Sequence, residues 1–186
     1  IGYYGAISSN KIYTEIASPA TDFLGRTCME WEKALLKFET LNCRTVILRS
    51  GVVLSKNGGA LSSIVKPIKM NVGAYLGKGE QYIPWIHLND LIKMLHFSII
   101  NNQIEGIFNA VSPSHITNII LTNKISKKLD KMIVLPKIPA FLLFLIFGEM
   151  ASLILYGSRV SSQKIVSSGY EFEFENLDKA IEDLIN

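Results

Sequence analysis

Apolar positions along this chain repeat at two different periods, and the change from one to the other marks out its elements. Asp22 is placed to cap a helix running to about Phe38, with Thr27, Trp31, Ala34, Leu35 and Phe38 on its apolar face. A β-branched strand covers Arg44 to Leu48, and Lys56-Asn-Gly-Gly59 reads as a turn. A second helix over 60–69 turns Leu61, Ile64, Val65 and Ile68 inward. The stretches 74–76 and 81–83 flank Gly77-Lys-Gly-Glu80 and read as a hairpin. Trp85-Ile86 ends a strand, and a helix starting at Asn89 or Asp90 carries Leu91, Ile92, Leu95 and Ile99. A strand at 107–111 precedes a helix capped by Thr117, with Ile120, Ile125 and Leu129 inward. Met132 to Leu135 reads as a further strand. Ser161 caps a short helix that Gly169 ends. Tyr170-Glu-Phe-Glu-Phe174 alternates an aromatic face with an acidic one, and Leu177, Ile181, Leu184 and Ile185 line a final amphipathic helix. Strands alternating with helices predict an α/β fold with a mainly parallel sheet.

The run Ile138 to Phe147 is strongly apolar, but Gly148-Glu149 interrupts it before Met150 to Tyr156. A spanning helix needs about 20 apolar residues. Glu149 in hydrocarbon would be costly, so the run predicts two short packed helices or one bent helix, not a membrane span. At 186 residues and 48% hydrophobic, the chain has enough material for one cored domain. The net charge is +3. The only lysine cluster, Lys124 to Lys131, reads either as the solvated face of a helix or as a phosphate-binding patch, and the charge gives no sign of nucleic acid. Cys28 and Cys43 form no CxxC pair. They fit a reducing compartment, cytoplasmic or organellar, with Cys43 as core. His87, His96 and His115 lack the spacing of a metal site.

Three segments join a strand end to a special turn: Ile1-Gly-Tyr-Tyr-Gly5, Arg49-Ser-Gly-Val-Val-Leu54 and Tyr82-Ile-Pro-Trp-Ile-His-Leu-Asn-Asp-Leu91. Open α/β sheets bind ligands in the crevice outside such strand ends. Further signposts follow in order: Thr14-Glu15, Trp31-Glu32, Gly58-Gly-Ala60, Gly77-Lys-Gly79, Asn109-Ala110, Thr117-Asn118, Gly148-Glu-Met-Ala151, Arg159-Val160 and Gly169-Tyr-Glu-Phe172. Together they resemble the extended short-chain dehydrogenase/reductase superfamily, in particular its epimerase-like branch. Members of that branch carry names such as NAD-dependent epimerase and SulA-like cell-division inhibitor.

The resemblance implies the carboxyl-terminal part of a Rossmann-type parallel sheet with a small α/β substrate subdomain. Residues of about 1–56 and 86–111 would belong to the dinucleotide-binding part, and about 57–85 and 112–186 to the substrate part. The chain opens inside the first strand-end turn with no dinucleotide-binding glycine cluster before it. The expectation is therefore a fragment of a longer NADP- or NAD-dependent protein, in which residues 1–186 alone bind the cofactor weakly or not at all.

In the wider superfamily a Tyr-x-x-x-Lys pair on one helix face carries proton transfer. Here the resemblance puts Leu24 at the Tyr position and Cys28 at the Lys position. Neither can do that chemistry, so both would wall the nicotinamide. Ile1, Tyr3, Ser50 and Gly51 complete the implied cofactor side, with Gly51 admitting a ligand close to the backbone. Tyr4 is a proton-donor candidate or a packed aromatic; His87 is a candidate base or a helix cap. Trp85 is a substrate wall or core, and Arg159 meets substrate phosphates or makes a surface salt bridge. Three readings follow. The first is an oxidoreductase or epimerase acting on a small or nucleotide-linked substrate. The second is a non-catalytic nucleotide-binding protein. The third is a membrane-associated or interaction module built around Phe141 to Tyr156. Separately, a truncated sheet would expose an apolar edge and favour self-association.

Overall fold

The structure is a computed structural model describing residues 1–7 and 9–185. Its eight strands and eight α-helices among those residues alternate for most of the chain. The parallel framework rests on three strand pairs. β2 (Val46–Ser50) pairs with β6 (Gly106–Ala110), β3 (Val52–Ser55) with β5 (Trp85–His87), and β1 (Ser9–Tyr13) with β8 (Ser158–Val160). β4 (Tyr82–Ile83) runs antiparallel to β7 (Ile116–Thr117).

One residue joins two of the pairs. Gly51 separates β2 from β3; its N–H bonds Ala110, and the next N–H, of Val52, bonds Pro84. A Cβ at Gly51 would lie 2.6 Å from the Pro84 carbonyl oxygen and 2.9 Å from Val111. The glycine is required where two backbones of this chain cross, a different reason from close approach to a ligand.

Caps visible in sequence set several helices. α1 (Phe23–Leu36) begins where Asp22 accepts the Gly25 N–H at 2.8 Å. α4 (Asn118–Lys128) is capped by Thr117 and α8 (Leu177–Leu184) by Asn176. α2 spans Gly59–Lys69, α3 Leu88–Ile100, α5 Ala140–Phe147, α6 Ala151–Leu155 and α7 Gln163–Ser167. α3 packs on β2, β3 and β5. Leu54, Trp85, Leu61, Ile125 and Ile181 belong to the largest apolar cluster, which joins α2, α4 and α8 to the strands. Ile86, Met94 and Phe108 form a second with Tyr170 and Phe172. The aromatic face of 170–174 is thus buried, although no strand forms there.

Several local expectations are corrected. Gly2–Tyr4 is a 3-10 turn and not a strand end. No hairpin forms over 74–83: Leu76 bridges to Ile138, and Tyr82-Ile83 pairs with 116–117. Residues 132–135 form no strand, with Met132 and Val134 exposed. Cys43 is exposed. On α1 the buried residues are Gly25 and Glu32, whereas Trp31 and Leu35 face outward, as does Phe38 in the 3-10 turn that follows the helix. On α3 the buried residues are Asp90, Met94 and Ser98, leaving Ile92, Leu95 and Ile99 exposed. The apolar run at 138–156 forms the two short helices α5 and α6, and among the described residues no helix is long and apolar enough to cross a membrane.

Candidate functional site

The turn at 2–4 is tied to the start of α1 at two points. The Ala20 N–H donates to the Tyr3 carbonyl, and Asp22, while capping α1, also accepts from Ala6 at 3.2 Å. Gly2 therefore lies against Leu24 and Cys28, one helical turn apart on the same side of α1. These residues border a cavity of about 380 Å³. Ile1, Tyr4, Val52 and Pro84 line it from the strand side, and Leu153, Tyr156 and Gly157 close it from the α6 side. Its walls are mostly apolar. Burial pushes the Cys28 thiol above its ordinary range, so it faces the cavity as a neutral group. Tyr156 and Gly157 also border a second cavity of about 510 Å³, with Asn10, Lys78, Glu80 and Gln81 on its walls. The two spaces share Tyr156 and Gly157 on their walls; the first, at α1, is the apolar end, and the second, at the Gly77-Lys-Gly79 turn, carries the charged side chains of Lys78 and Glu80.

Behind the apolar end is a buried polar network. Arg49 on β2 makes a two-pronged ion pair with Glu32 on α1, at 2.7 and 2.8 Å. Arg49 also donates to the Tyr4 hydroxyl at 3.0 Å, and that hydroxyl donates to Asn109 Oδ1 at 2.7 Å. Glu15 closes the set, accepting the Asn109 N–H at 2.9 Å. The Tyr3 ring stacks on the guanidinium, 3.3 Å from ring centre to carbon. Burial alone would weaken the charge on Arg49, but the hydrogen bonds to Glu32 and Tyr4 outweigh it and hold Arg49 protonated. Burial raises the Tyr4 pKa more than the Arg49 contact lowers it.

Of the residues singled out in sequence, Ile1, Tyr4, Leu24 and Cys28 meet at the cavity. The others do not border it. The Ser50 carbonyl accepts from the Ile1 nitrogen at 2.7 Å, and Gly51 is packed behind it. Tyr3 serves Arg49. Tyr4 borders the cavity, but its hydroxyl is fully engaged in the network, which removes it as a free proton donor. His87 is 2% exposed and caps α3, its Nδ1 accepting the Asn89 N–H at 3.1 Å. Its ring stacks on Phe174. Nε2 lies 3.2 Å from Asp183, at ion-pair distance but without the alignment of a hydrogen bond. The helix-cap reading of His87 therefore replaces the base. Trp85 is wholly buried, its indole N–H bonded to the Ser114 carbonyl at 3.0 Å, so it is core. Arg159 is half-buried on β8, donates to the Asn10 carbonyl and sits over the Tyr82 ring; its Nε is buried with no hydrogen-bond partner among the described residues.

Two features escaped the sequence reading. The Arg49–Glu32 pair had a signal: a buried arginine within the apolar run Val46-Ile-Leu needs a carboxylate. Tyr156, the hydroxyl-bearing residue common to both cavities, was hidden at the end of an apolar run.

Comparison with known proteins bears on the fold and its relatives. Residues 138–184 match a domain of unknown function (DUF1731). Over the whole chain the sequence is 32% identical to the epimerase family protein SDR39U1 of Mus musculus, covering 63% of that protein. It is 35% identical over 94% of its length to an epimerase family protein of Staphylococcus aureus, covering 58% of it. The chain thus spans about three fifths of the curated relatives it matches. The fold superposes on the crystal structure of human SDR39U1 (isoform 2) with NADPH at a TM-score of 0.87 and 28% identity, covering 99% of this chain and 62% of that one. The architecture is that of the Rossmann-type NAD-binding epimerases.

Proposed function

We propose that this chain is the carboxyl-terminal part of a NAD(P)-binding protein of the epimerase-like short-chain dehydrogenase/reductase type. The observation that carries the proposal is the placement of Leu24 and Cys28 side by side on the wall of an apolar cavity. The superposition on an NADPH-bound relative supports the cofactor class. A nicotinamide ring has flat, largely apolar faces, and the walls of Leu24, Cys28, Val52 and Pro84 suit it. When bound, the dinucleotide would supply hydride chemistry. Residues 1–186 contain no Gly-x-Gly-x-x-Gly turn for the diphosphate, so they contribute the nicotinamide end alone. Residues about 1–56 and 86–111 form the cofactor side of this arrangement, and about 57–85 and 112–186 the substrate side.

The polar cavity would hold a small or nucleotide-linked substrate, with Lys78 facing an anionic end. Tyr156, bordering both spaces, takes the position from which a hydroxyl could exchange a proton with it. A second reading, nucleotide binding without turnover, is supported by the chemistry of Leu24 and a neutral Cys28, the residues that the resemblance puts at the positions of the superfamily's proton-transfer pair. The test is NADPH titration of the full-length protein by cofactor fluorescence, followed by turnover with a panel of carbonyl and nucleotide-sugar substrates. Binding with turnover lost in Tyr156→Phe supports the enzyme. Binding without turnover supports the second reading, and absence of binding removes both.

A further inference from the structure

We propose that the face formed by the α5–α6 hairpin and the adjoining segment 132–137 docks on the surface of an anionic lipid bilayer. Of the eight residues of α5 only Leu143 is buried; Phe141, Ile146 and, at 80% exposure, Leu145 project into solvent. Met150, in the turn between the two helices, is also exposed. The preceding segment adds Met132 and Val134, also exposed. It runs beside 70–76: Ile138 bridges Leu76, and Gly73 lies against Ile133. Exposed Met70 caps the end of α2, where the 70–76 segment begins.

The charge along this surface and its flank is biased to basic. Residues 127–156 contain Lys127, Lys128, Lys131 and Lys137 against Asp130 and Glu149, a net charge of +2. Lys66 and Lys69, exposed in the last turn of α2, add to the rim. Stable peripheral attachment to membranes takes two signals, apolar insertion and a polybasic patch, and this face supplies both. A second copy of the chain seated here would bring lysines against lysines, whereas anionic headgroups complement them. The exposed Glu149 between the helices sets the depth, keeping the hairpin at headgroup level.

This proposal does not depend on the cofactor reading. The test is flotation of the full-length protein with phosphatidylcholine vesicles, with and without phosphatidylserine. Expected is binding to the serine-containing vesicles, reduced at least tenfold by high salt, by Lys127→Glu/Lys128→Glu/Lys131→Glu, or by Leu145→Ser/Ile146→Ser. The substituted side chains are mostly exposed, so the thermal unfolding temperature should stay unchanged, which separates lost docking from lost folding. No flotation with phosphatidylserine vesicles, or equal flotation of Leu145→Ser/Ile146→Ser, would overturn it. So would a dimer that dissociates on Leu145→Ser/Ile146→Ser, which would assign the face to a second copy.

Discussion

Arg49 on β2 and Glu32 on α1 hold each other through two hydrogen bonds of 2.7 and 2.8 Å, with only 4% of the arginine and 12% of the glutamate side chain exposed. The pair fixes the helix that carries Leu24 and Cys28 to the strand beneath the cavity. Breaking a buried pair from one side leaves an uncompensated charge and costs about 3–5 kcal/mol. Glu32→Gln should therefore lower stability by about 3 kcal/mol in urea denaturation. Arg49→Lys should also be costly, because an ammonium cannot reproduce the fork. Arg49→Met/Glu32→Leu should recover most of the loss. A Glu32→Gln protein as stable as the parent would show that the pair does not anchor α1.

Asp90 holds the carboxyl-terminal segment to α3. It is fully buried and accepts the N–H groups of Glu173 and Phe174 at 2.8 and 3.0 Å. Asp90→Ala leaves both donors unpaired and should cost about 3 kcal/mol. Hydrogen exchange at 172–175 should accelerate in that variant. Unchanged protection there would contradict the assignment.

Alkaline pH should weaken the fold through tyrosine. Burial raises the pKa of both Tyr4 and Tyr170, and Tyr170 donates to the Asp90 carbonyl at 2.7 Å. Unfolded tyrosine titrates near 10, below the folded values, so the folded chain holds these protons more tightly. The contribution is complete below about pH 10 and is lost as pH rises through the folded values. Tyr170→Phe should cost about 1 kcal/mol at neutral pH and flatten the alkaline decline in a denaturation series. An equally steep decline in Tyr170→Phe would assign the effect elsewhere.

The two cysteines should differ in reactivity. Cys43 is exposed, whereas Cys28 faces the cavity with its thiol pKa raised by burial. Iodoacetamide at neutral pH should modify Cys43 first, and the Cys28 rate should climb as pH passes above the ordinary thiol range. Peptide mass spectrometry resolves the two sites. Faster labelling of Cys28 at neutral pH would mean that its thiol is activated.

Much of this fold was legible because its signals are local. Asp22 and Thr117 announce their helices within three residues, and the spacing of Leu177, Ile181 and Leu184 gives the buried face of α8. What failed depended on distant partners. Gly77-Lys-Gly79 has hairpin composition, but Leu76 finds its neighbour at Ile138. Trp31, Leu35 and Phe38 do form an apolar stripe; periodicity shows that such a face exists, not that its partner lies within these residues. At the site, the resemblance brought Leu24 and Cys28 to the cavity. The engagement of the Tyr4 hydroxyl and of His87 was open between two readings until Asn109, Arg49, Asn89 and Phe174 were placed around them.

The proposed function turns on where a nicotinamide would lie, and Cys28 can report on it directly. The measurement is the rate of Cys28 alkylation in the full-length protein with and without saturating NADPH, read by peptide mass spectrometry. With the ring against Leu24 and Cys28, the cofactor should slow Cys28 at least tenfold and leave Cys43 unchanged. NADPH that binds yet leaves the Cys28 rate unaltered would place the cofactor elsewhere and contradict the proposed site.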